Sequence, residues 1–241
     1  MPSGRWWAYA AALAAIALLL GASAGCASRG SGSDEPHAVN GVIDLTDWPW
    51  DKEGTVALDG EWNFRWLDRG QETGASSPYR DTTLNIPGTW GLTKSGDGKE
   101  LDDIGYGIYR LTILHRPMQE MMAIRLPNIS TSYELYIGEK LAQKRGHPDI
   151  DARLAVPRQV PATVYFGASG DRTELKLVVS NYDHRHGGVR TSIVMGTSEQ
   201  IQGLQLGHAA QQLIIMGCLL MIGFYHLGLY ILRRKETANI L

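Results

Sequence analysis

The densest run of chemically capable side chains in this sequence is Asn181-Tyr182-Asp183-His184-Arg185-His186-Gly187-Gly188. It offers carboxylate, imidazole and guanidinium groups within one short stretch, a set that can hydrogen-bond a polyol or a carboxylate. On extended backbone, alternate residues share a face, so His184 and His186 are also a candidate pair of metal ligands. Zinc needs further donors, and only His115, His147 and Asp149 suggest themselves. The structural reading is equally concrete. Asn181 can bond backbone groups while Gly187 and Gly188 supply positive φ, so that the loop packs back on its own domain or on a membrane domain.

Two aromatics, Trp90 and Tyr106, flank a polar loop from Gly91 to Gly105. An aromatic face suits the apolar face of a sugar ring, and it suits a β-sandwich core as well. Trp62 and Trp66 alternate within one run and read as core, and Trp48-Pro49-Trp50 reads as an edge or cap. Glu100, Asp102 and Asp103 form an oxygen-rich loop that calcium accepts, but without the spacing of a calcium-binding loop. The plain reading is a solvated loop, and no cofactor is implied. The chain has no Gly-x-Ser-x-Gly elbow, no phosphate-binding loop, no His-Glu-x-x-His and no dinucleotide fingerprint, so it does not read as an enzyme. With 23 Lys and Arg against 25 Asp and Glu, it has no basic excess for nucleic acid.

These groups need a scaffold, and the middle of the chain predicts one made of strands. Trp62, Phe64 and Trp66 share one face of a run whose other face is Glu61, Asn63 and Arg65. The same alternation occurs in Tyr109-Leu111-Ile113, Met122-Ile124-Leu126, Tyr133-Leu135-Ile137, Val160-Ala162-Val164-Phe166 and Leu175-Leu177-Val179. A last strand is expected over Val189 to Met195. Turn residues separate the runs, and no stretch keeps helical spacing for three turns. About eight to ten short strands predict an all-β fold, an antiparallel β-sandwich for which jelly-roll connectivity is plausible. The polar loops Gly70 to Ser77 and Lys94 to Asp103 are of the kind that build sites on such scaffolds.

The ends predict a membrane topology. Residues 1–26 read as a signal peptide, with Ala22-Ser23-Ala24 suiting ordinary cleavage. Ser23-Ala24-Gly25-Cys26 resembles a lipobox, which makes Cys26 a lipidation candidate; an uncleaved signal anchor is the third reading. Residues 27–40 are Ser- and Gly-rich and read as a disordered tether. Residues 41–199 are the extracytoplasmic sandwich, which has no cysteine and must rely on a packed core. Residues 200–212 form a juxtamembrane connector, either an amphipathic coupling segment or a plain linker. Leu213 to Leu232 is roughly as long as a bilayer is thick and lacks Asp, Glu, Lys and Arg. Arg233-Arg234-Lys235 marks its cytoplasmic side, leaving 233–241 as a cytoplasmic stub. His226 lies mid-span, where a polar group normally faces other helices or a water-filled cavity.

Several of these residues resemble a known module. Asp59-Gly60-Glu61-Trp62-x-Phe64, Ile86-Pro87-Gly88-Thr89-Trp90, Gly105 to Arg110, Leu135 to Leu141 and Glu174 to Asn181 are similar, in order and spacing, to the sugar-binding jelly roll of glycoside hydrolase family 2. Asn181 to Gly188, followed by a membrane helix with Gly223-Phe224-Tyr225-His226-Leu227, resembles bacterial seven-transmembrane receptors with diverse intracellular signalling modules. The resemblance implies a galactose-binding-like outer domain, seven helices and a cytoplasmic output, of which this sequence contains the first helix and no output module. The hydrolase family's catalytic barrel is likewise outside it. The expectation is an extracytoplasmic sensor for a carbohydrate or related small molecule. Its ligand-contact candidates are Asn181, Asp183, His184, Arg185, His186, Trp90 and Tyr106. The alternative is a membrane-anchored interaction or structural module. A second copy of the chain, the membrane, or a signalling partner are the macromolecular contacts this layout admits.

Overall fold

A computed structural model describes residues 35–67, 79–93 and 100–233. The signal segment, Cys26, most of the expected tether, the Gly70 to Ser77 loop, residues 94–99 and the stub beyond Arg233 lie outside the described residues.

Alternating apolar residues become strands whose inner faces meet. Eleven strands are described: β1 (Val42–Asp44), β2 (Val56–Ala57), β3 (Gly60–Leu67), β4 (Tyr79–Ile86), β5 (Gly105–Leu114), β6 (Met121–Leu126), β7 (Ser132–Ile137), β8 (Lys140–Arg145), β9 (Ala162–Gly167), β10 (Arg172–Asn181) and β11 (Val194–Thr197). A short helix α1 (Trp50–Glu53), a 3-10 turn (Trp90–Leu92) and a long helix α2 (Ser198–Arg233) complete the described elements. One sheet runs β4-β3-β5-β10-β7-β8, and the other runs β2-β11-β6-β9. Within these orders every neighbouring pair is antiparallel. Among the named strands the parallel pairing is that of β1 with the far end of β5, beyond the part that β3 covers.

The pairings establish the connectivity that periodicity leaves open. β7 pairs β8, β6 pairs β9, β5 pairs β10 and β2 pairs β11, so the chain is folded in half about the β7–β8 turn. β10 also pairs β7, and β11 also pairs β6, which rolls that doubled chain into two sheets. This is a jelly roll, with the β3–β4 hairpin added beside β5.

The core lies between the sheets. Trp62, Phe64, Trp66, Tyr109, Leu111 and Ile113 point inward from one sheet, and Met122, Ile124, Leu126, Val164 and Met195 come from the other; all are buried. One end is an aromatic cluster, with Phe64 and Tyr109 centroids 4.6 Å apart and Trp66 and Trp90 centroids 4.9 Å apart. Gly107 makes room for it, because a Cβ there would land on the Phe64 ring. Trp50 is buried and Trp48 packs against the core, consistent with a cap.

Three boundaries differ from expectation. The ordered domain begins before Gly41: Ala38 is buried, bridges Gly60 in parallel and takes a 2.7 Å hydrogen bond from its N–H to the Asp59 carbonyl. Val160 is exposed and precedes β9, so the run beginning there starts two residues late. The last strand is Val194–Thr197 rather than Val189 to Met195. Val189 and Ile193 are buried, but they bond neighbouring loops: Gly88 N–H reaches the Val189 carbonyl and Leu58 N–H the Ile193 carbonyl, each at 2.8 Å.

The expected connector and span are one unbroken helix. Thr197 ends β11 and caps α2 in the same residue. Its Oγ1 accepts from Gln200 N–H at 3.3 Å, while Gln200 Oε1 accepts from Thr197 N–H at 3.0 Å. This reciprocal pair is a capping box. Gln200 Nε2 also donates to the Trp50 carbonyl at 2.7 Å, Ile201 is fully buried, and Gln205 Nε2 donates to Thr163 Oγ1. Beyond these turns the large apolar side chains from Leu213 to Leu232 are exposed on all sides. Among the described residues, α2 is the one helix long and apolar enough to cross a membrane.

Candidate functional site

The loop that closes β10 is organised around its first residue. Asn181 is fully buried. Its Nδ2 donates to the carbonyls of Asp103 and His184, each at 2.7 Å, and its Oδ1 accepts from His184 N–H at 3.0 Å. No exposed amide remains to meet a ligand, so of the two readings of Asn181 the geometry supports the backbone-binding one. Gly188 takes the positive φ expected of the pair, whereas Gly187 does not and is a glycine for want of space. A Cβ on Gly187 would strike the Trp90 ring and the Asp103 carbonyl, and Gly188 has φ of +107°.

Asp103, read from sequence as part of an acidic loop, is what the cluster folds around. Its Oδ1 accepts from Gly91 N–H (3.2 Å) and Gly187 N–H (3.1 Å), and its Oδ2 lies 3.3 Å from His186 Nδ1. Asp102 instead turns its Oδ1 to Ile104 N–H at 3.1 Å. The two oxygens of Asp103 are therefore spent on the protein, which leaves the calcium idea without a carboxylate set.

The histidines do not converge either. His184 Nδ1 faces the backbone of His186, and Arg185 Nε donates to His186 Nε2 at 3.1 Å. His115 is buried with its two ring nitrogens on Thr173 Oγ1 and the Arg116 carbonyl, each at 2.8 Å. His147 meets Lys144 and Asp149 elsewhere. Among the described residues no three His, Cys, Asp or Glu side chains gather to hold a metal. Asp183 and Arg185 are the exposed members of the cluster, and Tyr182 anchors it by directing its hydroxyl to the Asp149 and Ile150 carbonyls.

The two aromatics that flank the polar loop part company. Trp90 is fully buried, its Nε1 donating to Tyr109 Oη at 2.6 Å inside the aromatic cluster. It has no face to offer a sugar, which corrects its place among the ligand candidates. Burial of the Tyr109 phenol drives its pKa far above the ordinary value, with the Trp90 bond opposing. Tyr106 alternates with the inward Gly105 and Gly107, so it stands on the outer face of the sheet, half-buried.

That outer face carries polar groups that the sequence reading left as the solvated side of each strand. Register places them in rows. Thr83, Asn63, Arg110, Lys176 and Tyr136 are successive cross-strand partners. Beside them run Asp81, Arg65, Ile108, Val178, Glu134 and Lys144. Most charges here are paired. Arg65 grips Asp81 through Nε (2.6 Å) and Nη2 (3.0 Å), and this bond holds the Asp81 carboxyl below the usual range. Lys144 meets Glu134 at 2.7 Å, the Tyr136 hydroxyl donates to Glu134 at 2.7 Å, and Lys176 sits 4.1 Å over the Tyr136 ring. Between β3, β4 and β5 the face opens into a depression of about 290 Å³ lined by Asn63, Arg65, Asp81, Thr82, Ile108 and Arg110. A sequence signal for it existed in the polar alternation of β3 and β5, but only register brings the two strands' outer residues side by side.

No protein-family model matches the chain. No curated protein matches it. Solved structures similar to it include a GH2 beta-galacturonidase from Eisenbergiella tayi bound to glycerol (14% identity, 58% of this chain, 24% of that one, TM-score 0.43). A beta-glucuronidase from Faecalibacterium prausnitzii is similar over 58% of this chain and 31% of its own (10% identity, TM-score 0.44). A putative beta-galactosidase from Bacteroides fragilis is similar over 58% of this chain and 22% of its own (18% identity, TM-score 0.41). The matched region is under a third of each of these chains, and at such scores the likeness carries no argument about activity.

Proposed function

We propose that this chain is the ligand-sensing, membrane-anchored part of a bacterial signalling receptor, its jelly roll outside the cell and α2 crossing the bilayer with Arg233 toward the cytoplasm. The ligand is a carbohydrate or a related small molecule, and the sandwich binds without catalysing. One observation carries the reading: β11 passes into α2 with no intervening linker. The capping box of Thr197 and Gln200, the buried Ile201 and the Gln205–Thr163 bond fasten the first turns of α2 to the sandwich. A tether that served only as an anchor has no need of such a joint, since a flexible linker holds a domain at a membrane equally well. The ligand class rests on the resemblance of the strand and turn motifs to a sugar-binding module.

The test uses the full chain in phospholipid nanodiscs, titrated calorimetrically against a panel of glycans and metabolites. Hydrogen exchange is followed at residues 198–206. A ligand that binds and changes exchange in those turns is the expected result. Binding without any change there sinks the relay, and uniform absence of binding favours an interaction module.

A further inference from the structure

We propose that the depression between β3, β4 and β5 is a binding site for a small carboxylate ligand, held by the Arg110 guanidinium with the Asn63 amide beside it. The proposal rests on the sensor reading for its biological role, while its chemistry is testable without any relay through α2.

The starting point is a local conflict. Arg110 on β5 and Lys176 on β10 are direct cross-strand partners on the same outer face. Like charges in that position destabilise a sheet. Lys176 is accommodated by the Tyr136 ring on its other side. Arg110 is exposed and makes no hydrogen bond or ion pair among the described residues. Its diagonal neighbour Glu174 is also exposed and forms no ion pair with it. Asp81, whose carboxylate feels the charge of Arg110, is already gripped by Arg65 through Nε and Nη2. A sequence that breaks a local rule without compensation marks a place where function sets the choice.

The surroundings define what would complete it. Among the described residues, Arg65, Asp81 and Arg110 leave the lining of the depression with one net positive charge, which a monoanion neutralises. A planar guanidinium takes a carboxylate through two parallel N–H donors. Asn63, the partner of Arg110 across the ladder, offers both a donor and an acceptor for hydroxyl groups. Ile108 supplies an apolar patch beside them. The volume, about 290 Å³, is at the small end of ligand clefts and suits a single sugar acid or a short organic acid. Because the site lies on three hydrogen-bonded strands, the backbones that carry its groups are fixed relative to one another before the ligand arrives.

The experiment titrates the full chain in phosphatidylcholine nanodiscs with D-glucuronate, acetate and D-glucose. D-Glucuronate is expected to bind, and Arg110→Gln to weaken it at least tenfold, while Lys140→Gln on the exposed edge strand β8 leaves it unchanged. Binding of acetate as well assigns the source to simple carboxylates, and binding of D-glucuronate alone assigns it to sugar acids; either supports the site. Without ligand, Arg110→Gln is expected to melt no lower than the parent, because it removes a repulsion and not a bond. Equal affinity in Arg110→Gln overturns the proposal, as does D-glucose binding as tightly as D-glucuronate, or no binding of either carboxylate at millimolar concentration. The competition between D-glucuronate and D-glucose on the unsubstituted chain stands even if the variant misfolds. A neutral glycan that binds parent and variant alike, with no binding of either carboxylate, leaves the sensor reading intact while removing this site.

Discussion

Tyr133 shows how a single buried atom sets a measurable property. Its ring is fully buried on β7, but its hydroxyl has no hydrogen-bond partner. Burial pushes the phenol up to about 12, against the opposing charge of Arg145. A pKa raised in the folded state means that stability is fully present below the unfolded value near pH 10 and is lost as pH rises through about 12. Tyr133→Phe is therefore expected to reduce the loss of stability over that range in urea melts, leaving the parts due to Tyr109 and Tyr136. At neutral pH it should be neutral or stabilising by up to about 1 kcal/mol, since an unpaired buried hydroxyl costs more than it returns. A Tyr133→Phe protein less stable than its parent at neutral pH would show that the hydroxyl is satisfied after all. Of the residues named from sequence, Asn181 and Gly188 have the structural roles that one reading gives them, whereas Gly187 is required by close packing on Trp90 and not by a positive φ. Trp90 was misplaced because an aromatic beside a loop looks the same in sequence whether it faces solvent or core.

At the level of elements, the joint between β11 and α2 is the most consequential. Thr197 belongs to a ladder on one side and caps a helix on the other. Thr197→Ala should cost about 1 kcal/mol through loss of the cap, seen as a lower melting temperature of the sandwich in detergent. Inserting Gly-Gly between Thr197 and Ser198 is expected to leave β11 paired while raising hydrogen exchange across residues 198–206. Unchanged exchange after that insertion would mean that Ile201 and Gln205 fix the helix without help from the strand. The Thr197-x-x-Gln200 spacing is a readable helix start. Residues 200–212 read from sequence as a juxtamembrane connector, either an amphipathic segment running directly into the span or a plain linker. In the structure the helix is continuous, and two of these amides, Gln200 and Gln205, bond Trp50 and Thr163 on the sandwich.

At the scale of the whole molecule, a jelly roll with a buried aromatic core is joined to a helix whose large apolar residues from Leu213 to Leu232 are exposed among the described residues. A chain ending after Gln212 removes that exposed surface and keeps every sandwich contact made by α2. It is expected to be monomeric without detergent and to retain the parent's near-ultraviolet circular dichroism, whereas the complete chain should require detergent or lipid. Aggregation of the shortened chain would place an apolar liability on the sandwich itself. The absence of cysteine from the sandwich makes the core the main source of stability, so these measurements should be insensitive to reductant.

What the sequence determined by itself was periodic or local. Alternation named the inward faces of β3, β5, β6, β7 and β10, composition marked Leu213 to Leu232 as long and apolar enough to cross a membrane, and the paired glycines marked a closed loop. These follow from side-chain spacing along one strand or helix, which a chain carries wherever it goes. The tertiary structure decided what depends on which strands become neighbours. It folded the chain in half about β7 and β8, turned Asp103 from an acidic-loop residue into the centre of the Asn181 cluster, and buried Trp90. It also set Arg110 opposite Lys176 beside Asn63. Register between distant strands is fixed by the fit of two inner faces against each other, and so the outer faces acquire their neighbours as a consequence that no single strand encodes.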